Sequence, residues 1–479
     1  MHKRGMITLR KTKIICTLGP STDNPEIIEK MVKAGMNVAR LNFSHGTHEE
    51  QLKRINMVKE VRQRLNCPLA ILLDTKGPEI RIGMFKDGFA MLNAGQKFTL
   101  VCDEIQGDNQ RVSVSHKKIS SILKSGDTIL IDDGLIELNV EEFDGKDVVC
   151  RVINGGKISN KKSINLPGVK LDMPYMTERD REDLLFGIKA DVDYVAASFI
   201  RNADDVKCVR SLLDENGGKD IKLISKIENN EGVENIDEIL AESNGIMIAR
   251  GDMGVEISFE RLPAIQKSLI KKCYEAGKPV ITATQMLESM VHSPRPTRAE
   301  VSDVANAIYD GTSAIMLSGE TAAGMYPIES VETMSKIAEM TEKNIHYKKR
   351  FLAQQKIKNT SITDAVSHAA CTMAIDLGAA AIVAVTTSGH TARMLSKFRP
   401  SCPIIAVIVD EKAYHQTSMT WGVVPVKNDM QETMDDMFES GMRKAITTRI
   451  LKKDDMIVLT GGLPVGIAGT TNVVKVQIL

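Results

Sequence analysis

With residues 78–172 set aside, the first 345 residues read as apolar run, helix, apolar run, helix, eight times over. The runs are Lys13–Leu18, Asn37–Phe43, Leu69–Leu73, Tyr194–Phe199, Lys222–Lys226, Gly245–Ala249, Pro279–Thr282 and Ala314–Leu317. Between and after them, Asn24–Ala34, Thr47–Leu65, a segment opening at Thr177, Ala203–Glu215, Gly232–Ala241, Arg261–Ala276, Thr297–Tyr309 and Glu329–Lys343 carry helical patterns. Strands that alternate with helices pair in parallel through crossovers. Eight such units close a TIM (β/α)8 barrel. A doubly wound open sheet is the alternative, but no GxGxxG follows the first run.

The stretch that interrupts the rhythm has a different grammar. From Glu79 to Asp172 there is no amphipathic helix. Short β-rich pieces (Gln96–Val101, Arg111–Val114, Thr128–Asp132, Leu135–Val140, Val148–Val152) are punctuated by Asp87-Gly88, Asp133-Gly134 and Asp144-Gly145. This predicts a small β-barrel domain over 78–172, inserted after strand 3 of a barrel made of 1–77 and 173–345. The barrel pattern resumes at Thr177 with Asp180 three residues on, a near-capping box.

Residues 346–479 predict a third, α/β domain. Residues 347–355 are polar, the tail of a helix or a linker. Ile362–Gly378 reads as a helix, Ala381–Val385 as a strand, Thr391–Phe398 as a helix. Ile404–Val409, Val423–Val426 and Met456–Leu459 are further strands, with Val473–Leu479 at an edge. The turn between strand and helix offers hydroxyls, a glycine and free N–H groups to a phosphate, and a plain N-cap explains the same residues. The Gly-rich stretch 461–471 is placed to fold over it.

A chain of 479 residues exceeds what one core serves. The formal net charge is +0 without a long basic run, so nucleic-acid binding has no electrostatic support. The 8 cysteines form no CxxC pair, which argues against a zinc ribbon or a disulfide scaffold and for free thiols in a reducing cytoplasm. The basic N-terminus precedes no signal-like apolar segment, and no apolar stretch approaches a membrane span.

Chemistry concentrates in Ile221–Glu256. Two apolar runs there end at once in charge: Lys226 and Glu228, then Arg250 and Asp252 within an Ala-Arg-Gly-Asp turn. Two carboxylates suit Mg2+, which keeps sites for phosphate and water, and the Lys and Arg would balance phosphate charge. Other strand ends add Arg40, Asn42 and Ser44, then Asp74 and Thr75, Thr284 and Gln285, and Ser318 to Glu320. Polar residues just after strands mark the face where barrel enzymes hold their sites. A Mg-dependent enzyme acting on a phosphorylated acid is the reading these residues give.

Eight motifs, in order along the chain, resemble the pyruvate kinase family. They are TKIICTLGP from Thr12, RLNFSHG from Arg40, LLDTKGPEIR from Leu72, SKIEN from Ser225, MIARGDMGVE from Met247, ATQMLESM from Ala283, PRPTRAEVSDVANA from Pro294 and IMLSGETAAGMYP from Ile315. The resemblance implies phosphoryl transfer from phosphoenolpyruvate to ADP, giving pyruvate and ATP. By it, Glu228 and Asp252 would ligate Mg2+ (or Mn2+), and Asn42, Ser44, Asp74 and Thr75 would hold K+. Glu79 resembles the acidic residue of K+-dependent members. Lys226 would meet the transferring phosphoryl group and Arg40 would clamp the phosphate. Ala249, Arg250 and Gly251, with Asp252 and Thr284, would seat the substrate carboxylate. Asn42, His45, Arg81 and Lys162 would face the nucleotide, and Thr284 and Ser318 would order a water relay to the enolate.

The same resemblance makes Thr386, Thr387, Ser388, Gly389, His390 and Thr391 a loop for a sugar-phosphate or nucleotide effector, with His390 where members often carry a basic residue. It implies a homotetramer without nucleic-acid or membrane partners. Some bacterial members carry a further C-terminal domain, which a chain ending in VVKVQIL is expected to lack. Two other readings compete: a Mg-dependent barrel lyase or aldolase using the same Glu/Asp pair, and a scaffold that kept the fold. Arg81, Lys162 and the K+ set weigh against the first, and the intact site residues against the second.

Overall fold

A computed structural model describes residues 10–353, 361–467 and 469–479. The far N-terminus and residues 354 and 355 of the expected linker lie outside them. Eight parallel strands close a barrel: β1 (Lys13–Thr17), β2 (Val38–Asn42), β3 (Ala70–Asp74), β4 (Tyr194–Ala197), β5 (Lys222–Ile227), β6 (Gly245–Ala249), β7 (Val280–Ala283) and β8 (Ala314–Leu317). Each pairs with its neighbours in chain order, and β8 returns to β1 through Lys13↔Ala314. The barrel expectation holds and the open sheet is excluded.

The strands read as unbroken apolar runs because both of their faces are covered. Side chains alternate across each strand. Ile15, Val38, Leu72, Ile224, Met247, Ile281 and Met316 fill the barrel, while Ile14, Leu41, Ile71, Leu223, Ile246 and Leu317 pack outward against the helices. Thr47, Thr177 and Thr297 open three of those helices with full capping boxes, answered by Glu50, Asp180 and Glu300. The helix expected over Gly232–Ala241 is instead two, Asn230–Glu234 and Ile236–Glu242. Asn235 ends one and starts the other because its side-chain amide is drawn to the Arg201 carbonyl, 2.9 Å away.

Between β3 and β4 a seven-stranded sheet stands over the barrel mouth with its own core around Phe98, Leu100, Ile129, Leu138 and Val148. It includes pieces of two and three residues, Ile80–Arg81 and Ser163–Asn165, that only long-range pairing defines. One helical turn, Ile119–Ile122, interrupts a region expected to have none.

The C-terminal residues form a five-stranded sheet, with Ala381–Thr386 central and Thr471–Ile478 antiparallel at the edge. Tyr347–Ala353 is helical. A helix over Met434–Thr447, capped by Thr433, was not expected from the sequence. This unit closes the other end of the barrel. Met419 is fully buried among the barrel-filling side chains. Around it the Tyr194 hydroxyl donates to the Gln416 carbonyl at 2.6 Å, Ser418 Oγ to the Asn37 carbonyl at 3.0 Å, and Lys13 Nζ to the Val423 carbonyl at 2.6 Å. No helix among the described residues is long and apolar enough to cross a membrane.

Candidate active site

At the C-terminal ends of the strands, under the seven-stranded sheet, lies a cavity of about 570 Å3. Arg40, Asn42, Ser44, His45, Arg81, Lys162, Lys226, Glu228 and Asp252 all line it. Parallel pairing of β5 and β6 brings the two charge-bearing strand ends side by side, with Lys226 opposite Met247.

Lys226 is the hub. Its Nζ lies 3.1 Å from Asp74 Oδ1 and 2.9 Å from Glu228 Oε1, and donates to Ser198 Oγ at 2.7 Å. Arg40 Nε donates to the other Asp74 oxygen at 2.6 Å, and Arg40 Nη1 to Thr17 Oγ1 at 2.8 Å. All of these groups are buried. Burial works against the charges of Lys226, Asp74 and Glu228, and their neighbours answer it unequally. Desolvation would lower Lys226, but Asp74 and Glu228 outweigh it and hold the ammonium above the usual lysine range. Desolvation would raise Asp74, but Arg40 and Lys226 outweigh it and hold its carboxyl below the usual range.

Glu228 is the exception. Burial pushes it up, Lys226 offsets this in part, and Asp252 adds to it. Apart from the Lys226 ammonium, Glu228 Oε1 meets no donor in hydrogen-bonding geometry. The Asp252 carboxylate lines the same cavity without a side-chain hydrogen bond or ion pair among the described residues. Two neighbouring carboxylates short of donors fit a hard divalent cation, which would complete its coordination from other oxygens. No group of three or more His, Cys, Asp or Glu side chains suited to a metal occurs among the described residues.

The β2–β3 register sets Asn42 opposite Asp74, so Asn42, Ser44, Asp74 and Thr75 gather at adjoining strand ends. Asn42 Oδ1 accepts from the Ser44 N–H at 3.1 Å, and the Thr75 carbonyl accepts from Ser198 Oγ at 2.7 Å. Hard oxygens are the ligand type a monovalent cation takes, and in this set Asp74 also holds Arg40 and Lys226. Glu79 pairs with Arg81 at 2.8 Å, and Lys162 pairs with Asp132 at 2.8 Å across the covering sheet.

The Ala-Arg-Gly-Asp segment is the first turn of a short helix, Arg250–Glu256, rather than a turn. An aspartate in a first helical turn faces the positive end of the helix dipole. Arg250 is therefore not free to balance phosphate charge. Its guanidinium reaches Asp303 at 2.7 Å and the Thr284 carbonyl at 2.8 Å and stays off the cavity wall. The Gly251 N–H donates to Thr284 Oγ1 at 2.7 Å. Thr284 and Gln285 both take left-handed backbone, φ +67° and +52°, an expensive conformation for a β-branched residue. Neither Thr284 nor Ser318 is among the residues lining the cavity, and Ser318 Oγ is buried without a partner.

Ser198, which touches Lys226, Asp74 and Thr75, escaped the sequence reading. It stands directly after β4, so the rule that found the other strand ends points to it as well. Asp132, Asp133, Asn165 and Glu256 also line the cavity. The first three come from the covering sheet, where sequence offered no strand-end rule.

In the C-terminal unit, Thr386, Thr387 and Thr391 line a second cavity of about 40 Å3, closed by Gly466, Gly469 and Thr471. Thr391 Oγ1 and Thr471 Oγ1 are 2.7 Å apart, so the Gly-rich stretch does fold over the turn. Ser388, Gly389 and His390 stand outside this lining. Arg393 Nη1 donates to the Ser388 carbonyl at 3.1 Å. Burial, with Arg393 adding to it, lowers His390 below the ordinary histidine range.

Comparison with known proteins agrees with this geometry. Residues 9–331 match the family model "Pyruvate kinase, barrel domain", and residues 364–477 match "Pyruvate kinase, alpha/beta domain". The chain is 52% identical over 475 residues to a pyruvate kinase of Clostridium acetobutylicum, covering 98% of this chain and 100% of that one. It is 49% identical over 476 residues to one of Sporosarcina psychrophila (98% and 81%). Over 473 residues it is 48% identical to one of Staphylococcus haemolyticus (98% and 81%).

Proposed function

The chain belongs to the pyruvate kinase family, and we propose that the cavity at the barrel mouth transfers the phosphoryl group of phosphoenolpyruvate to ADP with the residues described above. It is a phosphotransferase, producing pyruvate and ATP at the last step of glycolysis. The observation that carries the site assignment is Lys226, held charged between Asp74 and Glu228 on the cavity wall.

Phosphoryl transfer asks little covalent chemistry of a protein and much positioned charge. Lys226 and Arg40 would meet the phosphate, Lys226 following the charge as it moves toward ADP. Glu228 and Asp252 would hold Mg2+ or Mn2+, whose contribution there is to neutralise phosphate and enolate charge. Asn42, Ser44, Asp74 and Thr75 would hold K+, with Glu79 nearby as in K+-dependent members. The N–H groups that open the Arg250–Glu256 helix, with Thr284, would seat the substrate carboxylate. Arg81, His45 and Lys162 would meet the nucleotide, Lys162 on leaving Asp132. Thr284 and Ser318 would order the water that protonates the enolate. The sheet over 80–165 would act as a lid, keeping water from the phosphoryl group.

The loop Thr386–Thr391 would bind a phosphorylated effector, with the small second cavity beneath it. A homotetramer in the cytoplasm completes the proposal. The test is pyruvate formation from phosphoenolpyruvate and ADP with Mg2+, in K+ and again in Na+. Turnover that needs ADP and K+ supports the site and its monovalent set. Turnover indifferent to K+ removes that set, and folded protein without turnover removes the reading. Rebuilding residues 386–391 should change the response to sugar phosphates or nucleotides and spare basal turnover. Loss of basal turnover with activation unchanged would refute the effector site.

A further inference from the structure

The helix Arg250–Glu256 does more than present Asp252. One turn beyond that carboxylate, Glu256 faces the covering sheet. Glu256 Oε1 accepts a hydrogen bond from Asn165 Nδ2 at 2.9 Å. Asn165 ends Ser163–Asn165, a strand that pairs with Ile80–Arg81 and so sits at the root of the covering sheet, next to Arg81. The N–H of Leu166 also points at Glu256 and helps offset the desolvation that raises its carboxyl. The loop Asp132–Asp133–Gly134 lies beside this bond and runs through three consecutive left-handed residues, φ +56°, +55° and +84°. It passes the same helix with room to spare, since even a Cβ on Gly134 would lie 4.0 Å from Val255. Asp133 is near enough to Asp252 for the two carboxylates to repel, which adds to the effect of burial in raising Asp133.

We propose that the Asn165–Glu256 hydrogen bond is the latch that seats the lid, fastening it to the helix that carries Asp252. The proposal rests on the phosphotransferase reading of the cavity and adds two positioning residues to it. The bond is part-buried, and it joins two units with separate hydrophobic cores. Fastening at Glu256 ties the position of the lid, with Arg81 and Lys162, to the orientation of Asp252. The closed lid and an aligned acidic pair then come as one state.

A donor–acceptor exchange tests this. N165D sets two carboxylates against each other and should release the lid. E256Q keeps an acceptor and should have a small effect. N165D/E256Q restores the bond with its direction reversed and its net charge unchanged. Two readouts are taken with Mg2+ and phosphoenolpyruvate present: backbone hydrogen exchange over residues 156–165, and kcat/KM for ADP. The expected result is faster exchange and a loss of about tenfold or more in N165D, with both recovering toward wild type in the double variant. N165A gives the same exchange readout should N165D fold poorly, and urea midpoints identify that case. A double variant no better than N165D, or N165D and N165A that exchange like wild type, overturns the latch. Wild-type protein without turnover would instead sink the phosphotransferase reading, while the exchange readout still decides the latch.

Discussion

Lys226 buries a positive charge between two negative ones on the wall of a cavity. Lys226→Met therefore does two separable things. It removes the cation proposed to follow the phosphoryl group, so turnover should fall by roughly 10²–10³ or more. It also leaves Asp74 and Glu228 short of their counter-charge in a buried place, at a cost of about 3–5 kcal/mol. Steady-state kinetics and urea unfolding check the two parts. Near-normal turnover would remove Lys226 from the mechanism, and an unchanged urea midpoint would show that Arg40 alone balances Asp74. At this scale the sequence was legible wherever a charge follows a strand directly, as at Lys226, Glu228 and Asp252. It was not legible for Arg250, because the carboxylate that claims it, Asp303, lies on the helix that follows the next strand, more than fifty residues on in the chain. Adjacency along the chain says that a charge arrives at a site. It does not say what else is waiting there.

Among elements, the helix Glu178–Lys189 shows how a local rule gains a long-range use. Thr177 Oγ1 accepts from the Asp180 N–H at 3.1 Å, and Asp180 returns the bond to the Thr177 N–H at 3.2 Å. The second Asp180 oxygen accepts from the Gly77 N–H at 2.9 Å, where the chain leaves β3 for the lid. Thr177→Ala should cost about 1 kcal/mol of stability in urea unfolding. It should also speed hydrogen exchange at Gly77, whose acceptor loses its brace; unchanged exchange there would mean that Asp180 is held without Thr177. The capping box was readable from Thr177 and Asp180 alone, but its grip on Gly77 was not. The same division separates the elements that were read from those that were missed. Gly245–Ala249 and Ala203–Glu215 announce themselves through apolar period and flanking caps. Ile80–Arg81 exists because Ser163 lies opposite Arg81, and no window on the sequence contains both. Met434–Thr447 had a usable signal, Thr433 followed by Asp435 and Asp436 in the first turn, that apolar strand-hunting passed over.

For the whole molecule the decisive junction is the one far from the chemistry. Met419, from the C-terminal unit, belongs to the packing inside the barrel, and the hydrogen bonds of Gln416 and Ser418 surround it. Met419→Ala should cost about 2–5 kcal/mol, because the surrounding strands cannot collapse into the space. The loss should appear as a lower urea midpoint shared by both units; a transition that splits in two, with the barrel unaffected, would refute the shared core. The two ends of the barrel are thus built under different rules. The covering sheet meets its end through polar contacts such as Asn165 with Glu256, and the C-terminal unit meets the other through a side chain packed inside the barrel. A lineage carrying this architecture is free to lengthen, trim or exchange its lid. The residues around Met419 and those that receive it must change together or not at all, so that seam should record the ancestry of the two units as a single inheritance.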